Sequence, residues 1–152
     1  MIALIQRVKQ ASVTVDGEIT GQIQAGMLVL LGIHTHDTEK ELNWLVQKVA
    51  NLRIFEDEEG RMNQSVQDVD GEALVVSQFT LYGNAEKGNR PSFIQAARPE
   101  LAIPLYEQFV RQLSDVLGKP VPTGVFGAMM DVALVNDGPV TIWVEKKPSA
   151  TV

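Results

Sequence analysis

Two short polar segments carry most of the chemistry this chain can offer. Ser77-Gln78-Phe79-Thr80 interrupts the apolar stretch from Ala73 to Leu81 with two hydroxyls and an amide. Buried groups of this kind must be hydrogen-bonded, so something has to satisfy them. In an extended strand Gln78 and Thr80 face one side and Ser77 and Phe79 the other. A ligand would then meet Thr80 beside Gln78 and use nearby backbone N–H groups as donors. The plainer alternative is a strand that turns polar as it enters its loop. Asn136-Asp137-Gly138-Pro139 is by default a turn between two strands. With Pro139 in third position, Asp137-Gly138-Pro139-Val140 suits a type VI turn, which needs a cis bond, a state found in about 5–6% of X–Pro bonds. Such a loop would present main-chain oxygens unshielded by side chains, an arrangement suited to recognition by shape.

Conventional catalysts are scarce. The two histidines, His34 and His36, stand at i and i+2, where an extended backbone would turn both rings to one side as a metal site requires. Their neighbours Thr35, Asp37 and Thr38 are ordinary loop residues, and the loop reading is preferred; no metal is expected. No G-x-S-x-G elbow supports a Ser-His-Asp triad. The absence of cysteine removes disulfides, thiolate metal sites and a thiol nucleophile together. Glu56-Asp57-Glu58-Glu59-Gly60 reads as a solvated acidic turn.

The elements that position these segments alternate along 152 residues, a length that suits one domain. Hydrophobic residues at 45% and charged ones at 21% are those of a globular protein rather than a disordered one. Met1–Lys9 and Ala11–Asp16 predict strands, Asp16-Gly17 a hairpin turn, Glu18–Gln22 its return, and Met27–Ile33 a strand buried on both faces. Thr38-Glu39-Lys40-Glu41 has capping-box spacing, and Leu42, Leu45, Val46 and Val49 then recur as the stripe of an amphipathic helix. Arg53–Phe55 and Ala73–Leu81 predict further strands. A second helix is expected from Pro99 or Pro104 to Leu117, stopped by Gly118 and Pro120, with Leu105, Phe109, Leu113 and Val116 on one face. Val125–Val135 and Val140–Glu145 would flank the Gly-Pro turn. The domain is expected to end near residue 147, with 148–152 a frayed tail. Two helices are too few to cover both faces of a parallel sheet, so the pattern predicts a mixed, β-rich α/β domain in layers.

A net charge of −6 is the wrong sign for a protein that coats nucleic acid nonspecifically. DNA is therefore not expected as a partner, and any RNA contact must be a local patch. No apolar run approaches the roughly 20 residues of a membrane helix, and the N-terminal residues do not read as a signal peptide. No membrane partner and a cytoplasmic location are expected.

Met1-Ile2-Ala3-Leu4-Ile5-Gln6-Arg7-Val8 with Ala11-Ser12-Val13, Ser77-Gln78-Phe79-Thr80-Leu81, Arg90-Pro91-Ser92-Phe93, Thr123-Gly124-Val125-Phe126-Gly127-Ala128 and Asn136-Asp137-Gly138-Pro139-Val140-Thr141 resemble the D-aminoacyl-tRNA deacylases in order and spacing. The likeness runs to about Glu145; each motif alone is weak, and the ordered set is specific. It implies a three-layer β/β/α arrangement with mixed sheets and two main helices, and a homodimer with active sites at the subunit interface. The implied activity is hydrolysis of the ester joining a D-amino acid, or glycine, to the 3′-terminal ribose of tRNA, with L-aminoacyl-tRNA rejected and no cofactor. By the same resemblance Ser77, Gln78, Phe79 and Thr80 line the catalytic pocket. Gly138 and Pro139 would be the cis dipeptide inserted into the partner's pocket for chiral selection, with Asn136 beside it and Arg7 bracing it. The nearest basic cluster, Lys87, Arg90 and Arg98, supplies candidate tRNA phosphate contacts. An aminoacyl ester is activated, so positioning and oxyanion stabilisation suffice. Either Thr80 Oγ attacks, or the ribose 2′-hydroxyl assists water; the second is preferred, because no partner that would activate Thr80 is visible. The rival readings are a non-enzymatic dimeric module binding a small molecule or RNA, and a metal-dependent hydrolase centred on His34 and His36.

Overall fold

The computed structural model describes residues 1–149. Strand β1 (Ile2–Val15) is its spine. Asp16 and Gly17, at φ +50° and +81°, form the expected tight turn, the conformation in which an Asp-Gly pair is at ease. The chain then runs back along one edge of β1. Strand β2 (Glu18–Ile23) lies against its C-terminal half and β3 (Gly26–Gly32) against its N-terminal half, while β7 (Asp131–Glu145) lies antiparallel along the other edge. Strand β6 (Glu72–Ser77) joins β3 in parallel, and β4 (Phe55–Glu56) with β5 (Met62–Gln64) makes a small separate ladder.

Alternation along β3 and β6 explains the layers. Met27, Val29, Leu31, Ala73 and Val75 point into a core closed by helices α1 (Glu39–Asn51) and α2 (Pro99–Leu117). Leu28, Leu74 and Val76 point the other way, into a second core with Val8, Ala11, Val13 and Ile23, against which Val132 and Leu134 pack. The sheet curls over itself to bury that second face, giving the β/β/α order expected of a sheet whose central strands are apolar on both sides. No helix is long and apolar enough to cross a membrane among the described residues.

Helix α1 begins at its capping box. The Thr38 N–H and hydroxyl donate to Glu41 Oε2 at 2.8 and 2.6 Å, and the Lys40 N–H donates to Thr38 Oγ1 at 3.2 Å. Leu42, Leu45, Val46 and Val49 are buried as the spacing required. Helix α2 starts at Pro99, which fills a first-turn position, so Pro104 lies inside it and leaves the Glu100 carbonyl without its intrahelical donor.

Several boundaries differ from expectation: the strands expected over Met1–Lys9 and Ala11–Asp16 are one, Ile2–Val15, and the one expected over Arg53–Phe55 covers only Phe55–Glu56. The strand expected over Ala73–Leu81 ends at Ser77, because a 3₁₀ turn, Phe79–Tyr82, takes over. The strand expected from Val125 begins at Asp131, and it continues through the Gly-Pro segment instead of stopping at a hairpin. The chain is tied down as far as Ser149, inside the tail expected to fray from residue 148. The Lys146 N–H donates to the Met1 carbonyl (2.9 Å), and the Ser149 N–H donates to Glu41 Oε1 (3.0 Å). Residues 150–152 lie outside the described residues.

Glu41 is only 1% exposed. Burial pushes its carboxyl up, but the donors from Thr38 and Ser149 outweigh this and hold it down at about 2, against an ordinary 4.5. A depressed carboxyl stabilises the fold at pH above its unfolded value and loses that contribution as pH falls through its folded value. Glu41→Gln, which turns an amide toward these donors, should lower stability by about 1–3 kcal/mol at pH 7. In urea titrations, the gap between variant and wild type should close between pH 4.5 and 2; a gap independent of pH would contradict the assignment.

Candidate active site

Ser77 ends β6 opposite Leu31, and the Gln78 N–H donates to the Leu31 carbonyl at 2.8 Å, the last rung of the ladder. The chain then tightens into the 3₁₀ turn, which settles on Gly32; a Cβ there would meet Leu81 Cβ at 3.1 Å and the Gln78 carbonyl at 3.3 Å. Pleat alternation therefore does not set the directions of Phe79 and Thr80. The turn brings Gln78 and Thr80 together instead, the Gln78 amide donating to Thr80 Oγ1. The Phe79 and Thr80 N–H groups, first in the turn, make no bond to any backbone carbonyl, as is usual at the start of a helical turn. Phe79 and Thr80 are both exposed residues, so these two N–H groups and the Thr80 hydroxyl belong to one exposed turn.

Around the turn, Phe79 meets Phe93 edge-on at 5.2 Å between ring centroids. Asn84 and Ser92 exchange backbone bonds of 2.8 Å, which docks Arg90-Pro91-Ser92-Phe93 alongside. Lys87 and Arg90 are exposed on this loop, and Arg98, at the start of α2, lies 3.9 Å from Glu100. Tyr82 ends the turn with its hydroxyl buried and unpartnered, its proton held more tightly than usual by burial.

The second polar segment sits elsewhere. Gln6 pairs with Thr141 and Val8 with Asn136, so Asp137–Val140 bulges out opposite Arg7 alone. The Asn136 amide fills the gap in the ladder, donating to the carbonyls of Arg7 (3.0 Å) and Val140 (3.1 Å), while its oxygen accepts from Thr141 (3.2 Å). Arg7 is 6% exposed. Its Nη1 donates to the Ile54 carbonyl at 2.8 Å, and its Nε lies 3.3 Å from Asp137 Oδ2 without the angle of a hydrogen bond. The Gly138-Pro139 bond is cis, and both residues are exposed. Gly138, at φ +117°, has no room for a side chain: a Cβ would lie 2.9 Å from Arg7 Nη2.

The fold thus gathers Ser77, Gln78, Phe79 and Thr80 in one place and Arg7, Asn136, Gly138 and Pro139 in another, but does not join the two within one chain. Ser77 is level with Leu31 and so with Ala3, four residues along β1 from Arg7, and the loop lies three strands away from β6. At about 3.3 Å per residue and about 4.8 Å per strand, roughly 20 Å of sheet separates them.

His34 and His36 do not form an extended pair. The chain turns there: the Asp37 carboxylate accepts the His34 N–H at 2.7 Å, His34 Nδ1 accepts the His36 N–H at 3.0 Å, and the His34 ring packs 5.3 Å from Tyr82. Burial pushes the His34 pKa down. Among the described residues no three of His, Asp and Glu gather as metal ligands. In the acidic turn, Asp57 Oδ1 accepts the N–H groups of Glu59 and Arg61, so the carboxylate holds its own backbone.

Fold and site together define a β-rich α/β protein whose polar site, at the end of a sheet strand, has no acid–base pair. The family model described as D-Tyr-tRNA(Tyr) deacylase matches residues 4–145, and the chain belongs to that family. A protein of Flavobacterium psychrophilum named D-aminoacyl-tRNA deacylase is 57% identical over 147 residues, covering 97% of this chain and 98% of its own. A protein of the same name from Opitutus terrae is 60% identical over 145 residues, covering 95% and 97%. Among solved structures, one titled c-Myc DNA Unwinding Element Binding Protein aligns with a TM-score of 0.90 at 47% identity, covering 97% of this chain and 99% of its own. Another, titled as a probable eukaryotic D-amino acid tRNA deacylase, shares the fold at a TM-score of 0.81 and 19% identity, covering 94% and 97%.

Asn136→Ala leaves two carbonyls without a donor, and should cost about 1–3 kcal/mol in urea unfolding. Thr141→Val removes only a peripheral hydroxyl and should cost less than about 0.5 kcal/mol. Equal costs for the two would contradict the role given to the Asn136 amide.

Proposed function

We propose that this chain hydrolyses the ester of D-aminoacyl-tRNA, releasing the D-amino acid and tRNA and sparing the L-form. The observation that carries this reading is the Phe79–Thr80 turn, two free N–H donors beside a hydroxyl with no acid–base pair, in a chain of this family. Such a site would be a poor amidase. It suits an activated ester, for which holding the carbonyl and stabilising its developing negative charge supplies most of the needed acceleration. Thr80 Oγ1 already accepts a bond from Gln78 and has no base beside it, which favours the vicinal 2′-hydroxyl of the terminal ribose as the group that assists water.

A second copy of the chain completes the site. Gly138 and Pro139 lie about 20 Å along the sheet from the turn of their own chain, yet both are exposed on a bulge stiffened by Arg7 and Asn136. Strand β7 pairs only with β1 among the described residues, leaving a 15-residue edge open to a partner. In the dimer the side-chain-free loop of one protomer would stand over the turn of the other. With amine, carbonyl and hydrogen of the α-carbon fixed, its carbonyls would occupy the L direction and leave the D direction open. Glycine, lacking a side chain, would pass. Lys87 and Arg90, exposed on the loop that follows the turn, and Arg98, exposed at the start of α2, are the phosphate contacts in this reading. DNA is left out as a partner on the strength of the net charge of −6, and the cytoplasm, where tRNA is charged, is the location this substrate implies.

Incubation with D-tyrosyl-tRNA and L-tyrosyl-tRNA tests the reading. The D-ester should be cleaved at least about 100-fold faster, which needs some 3 kcal/mol of steric exclusion, and chelator should not change the rate; equal rates or no hydrolysis would reject it. Thr80→Ala should stay within about tenfold of the wild-type rate, whereas loss of a true nucleophile costs about 10⁴-fold or more.

A further inference from the structure

The exposed face of α1 is built for a different contact. Its members are Lys40, Asn43, Trp44, Gln47, Lys48 and Asn51, with Glu39 at the first position the only exposed acid on the helix. Trp44, 38% exposed, is not needed by the core. Two ammonium groups sit over it, Lys48 Nζ from the next turn and Lys146 Nζ from the end of β7, each 5.3 Å from its ring. Beside it lies a shallow hollow of about 650 Å³ whose lining includes Lys48, Asn51 and Arg53 and contains no carboxylate.

In a chain of net charge −6 this concentration is unexpected. Of its thirteen lysines and arginines, Arg7, Arg61, Arg98 and Lys119 lie within ion-pair distance of carboxylates. Lys40, Lys48, Arg53 and Lys146 make no such pair among the described residues, yet they share one face. Like charges this close repel one another, and the repulsion is relieved when a polyanion lies across them. Amides that bond phosphate and sugar, cations, and an aromatic ring on which a base can stack are the combination that binds RNA.

The face is also tied to the ester site through the interior. The backbone of Lys146 exchanges bonds with Met1, the Met1 amine pairs with Asp37 at 3.0 Å, Asp37 holds the His34 N–H, and the His34 ring rests on Tyr82, the last residue of the 3₁₀ turn. Both therefore lie at the same end of the sheet.

We propose that the α1 face centred on Trp44, together with Lys146, is a second tRNA contact that grips the nucleic acid away from its aminoacyl end. The proposal rests on the aminoacyl-tRNA reading of the site and adds a binding surface to it. Lys48→Ala/Lys146→Ala keeps both backbones that the fold uses, and Trp44→Ala removes the stacking ring. For D-tyrosyl-tRNA the double variant should raise KM roughly fivefold or more near 0.15 M salt, and lower the slope of log KM against log salt by about one to two. Trp44→Ala should raise KM by roughly five- to a hundredfold. With 3′-O-(D-tyrosyl)adenosine, which carries no phosphate, all three proteins should have the same kcat/KM. Unchanged KM and salt slope on D-tyrosyl-tRNA would overturn the proposal. A wild-type chain that cleaves neither ester would sink the proposed function instead. Fluorescence anisotropy with uncharged labelled tRNA then reads the surface by itself: the same losses in the variants support it, and equal binding overturns it.

Discussion

Four residues of β7, Asp137–Val140, stand opposite a single residue of β1, Arg7, and the reading of this protein depends on how that mismatch is held. A bulge of this size strips the ladder of bonds and would leave half-buried carbonyls without donors, at a cost of about 1–3 kcal/mol. The Asn136 amide restores two of them, and the Arg7 guanidinium fills the space beneath, fixed to the Ile54 carbonyl. A nearly buried arginine is tolerated because Asp137 and Glu56 lie within 3.3 and 3.8 Å of it. The outcome is a short exposed loop with no side chain at Gly138, propped from below by a planar, permanently charged group.

Among the described residues the 3₁₀ turn of the loop's own chain lies roughly 20 Å away along the sheet, too far for the loop to reach. The 3₁₀ turn at the end of β6 has the complementary lack. It carries donors and a hydroxyl on an open surface, without a wall to sort what binds there. In the proposed dimer each half of the site would supply what the other lacks. That proposed arrangement would also suit the chemistry: a site closed by backbone from a partner would need no base of its own if the substrate is an ester that already carries a vicinal hydroxyl.

Much of the fold was legible in the residues. The capping box and the Leu42, Leu45, Val46, Val49 stripe fixed α1, and the uninterrupted apolar run of β3 announced a strand with a core on each face. What escaped the sequence were features set by long-range pairing. The 3₁₀ turn at Phe79–Tyr82 exists because Gly32, nearly fifty residues earlier, leaves room for it. The passage of β7 through Gly138-Pro139 exists because β1 is long enough to pair on both sides of the bulge. The tail is held by Met1 and Glu41, partners no local pattern could name. The pair of cations over Trp44 likewise lies beyond any local pattern, since Lys146 reaches the ring only through the fold.

The central claim is that each site is shared between two chains, and subunit mixing tests it most directly. One variant, Gly138→Asp, disables the loop; another, Thr80→Trp, fills the place of the ester. Each alone should be inactive on D-tyrosyl-tRNA. Unfolded and refolded together in equal amounts, they should recover about a quarter of wild-type activity, because half the dimers then hold one intact loop facing one intact turn. A mixture as inactive as its components would show that loop and turn act within a single chain, and would contradict the account.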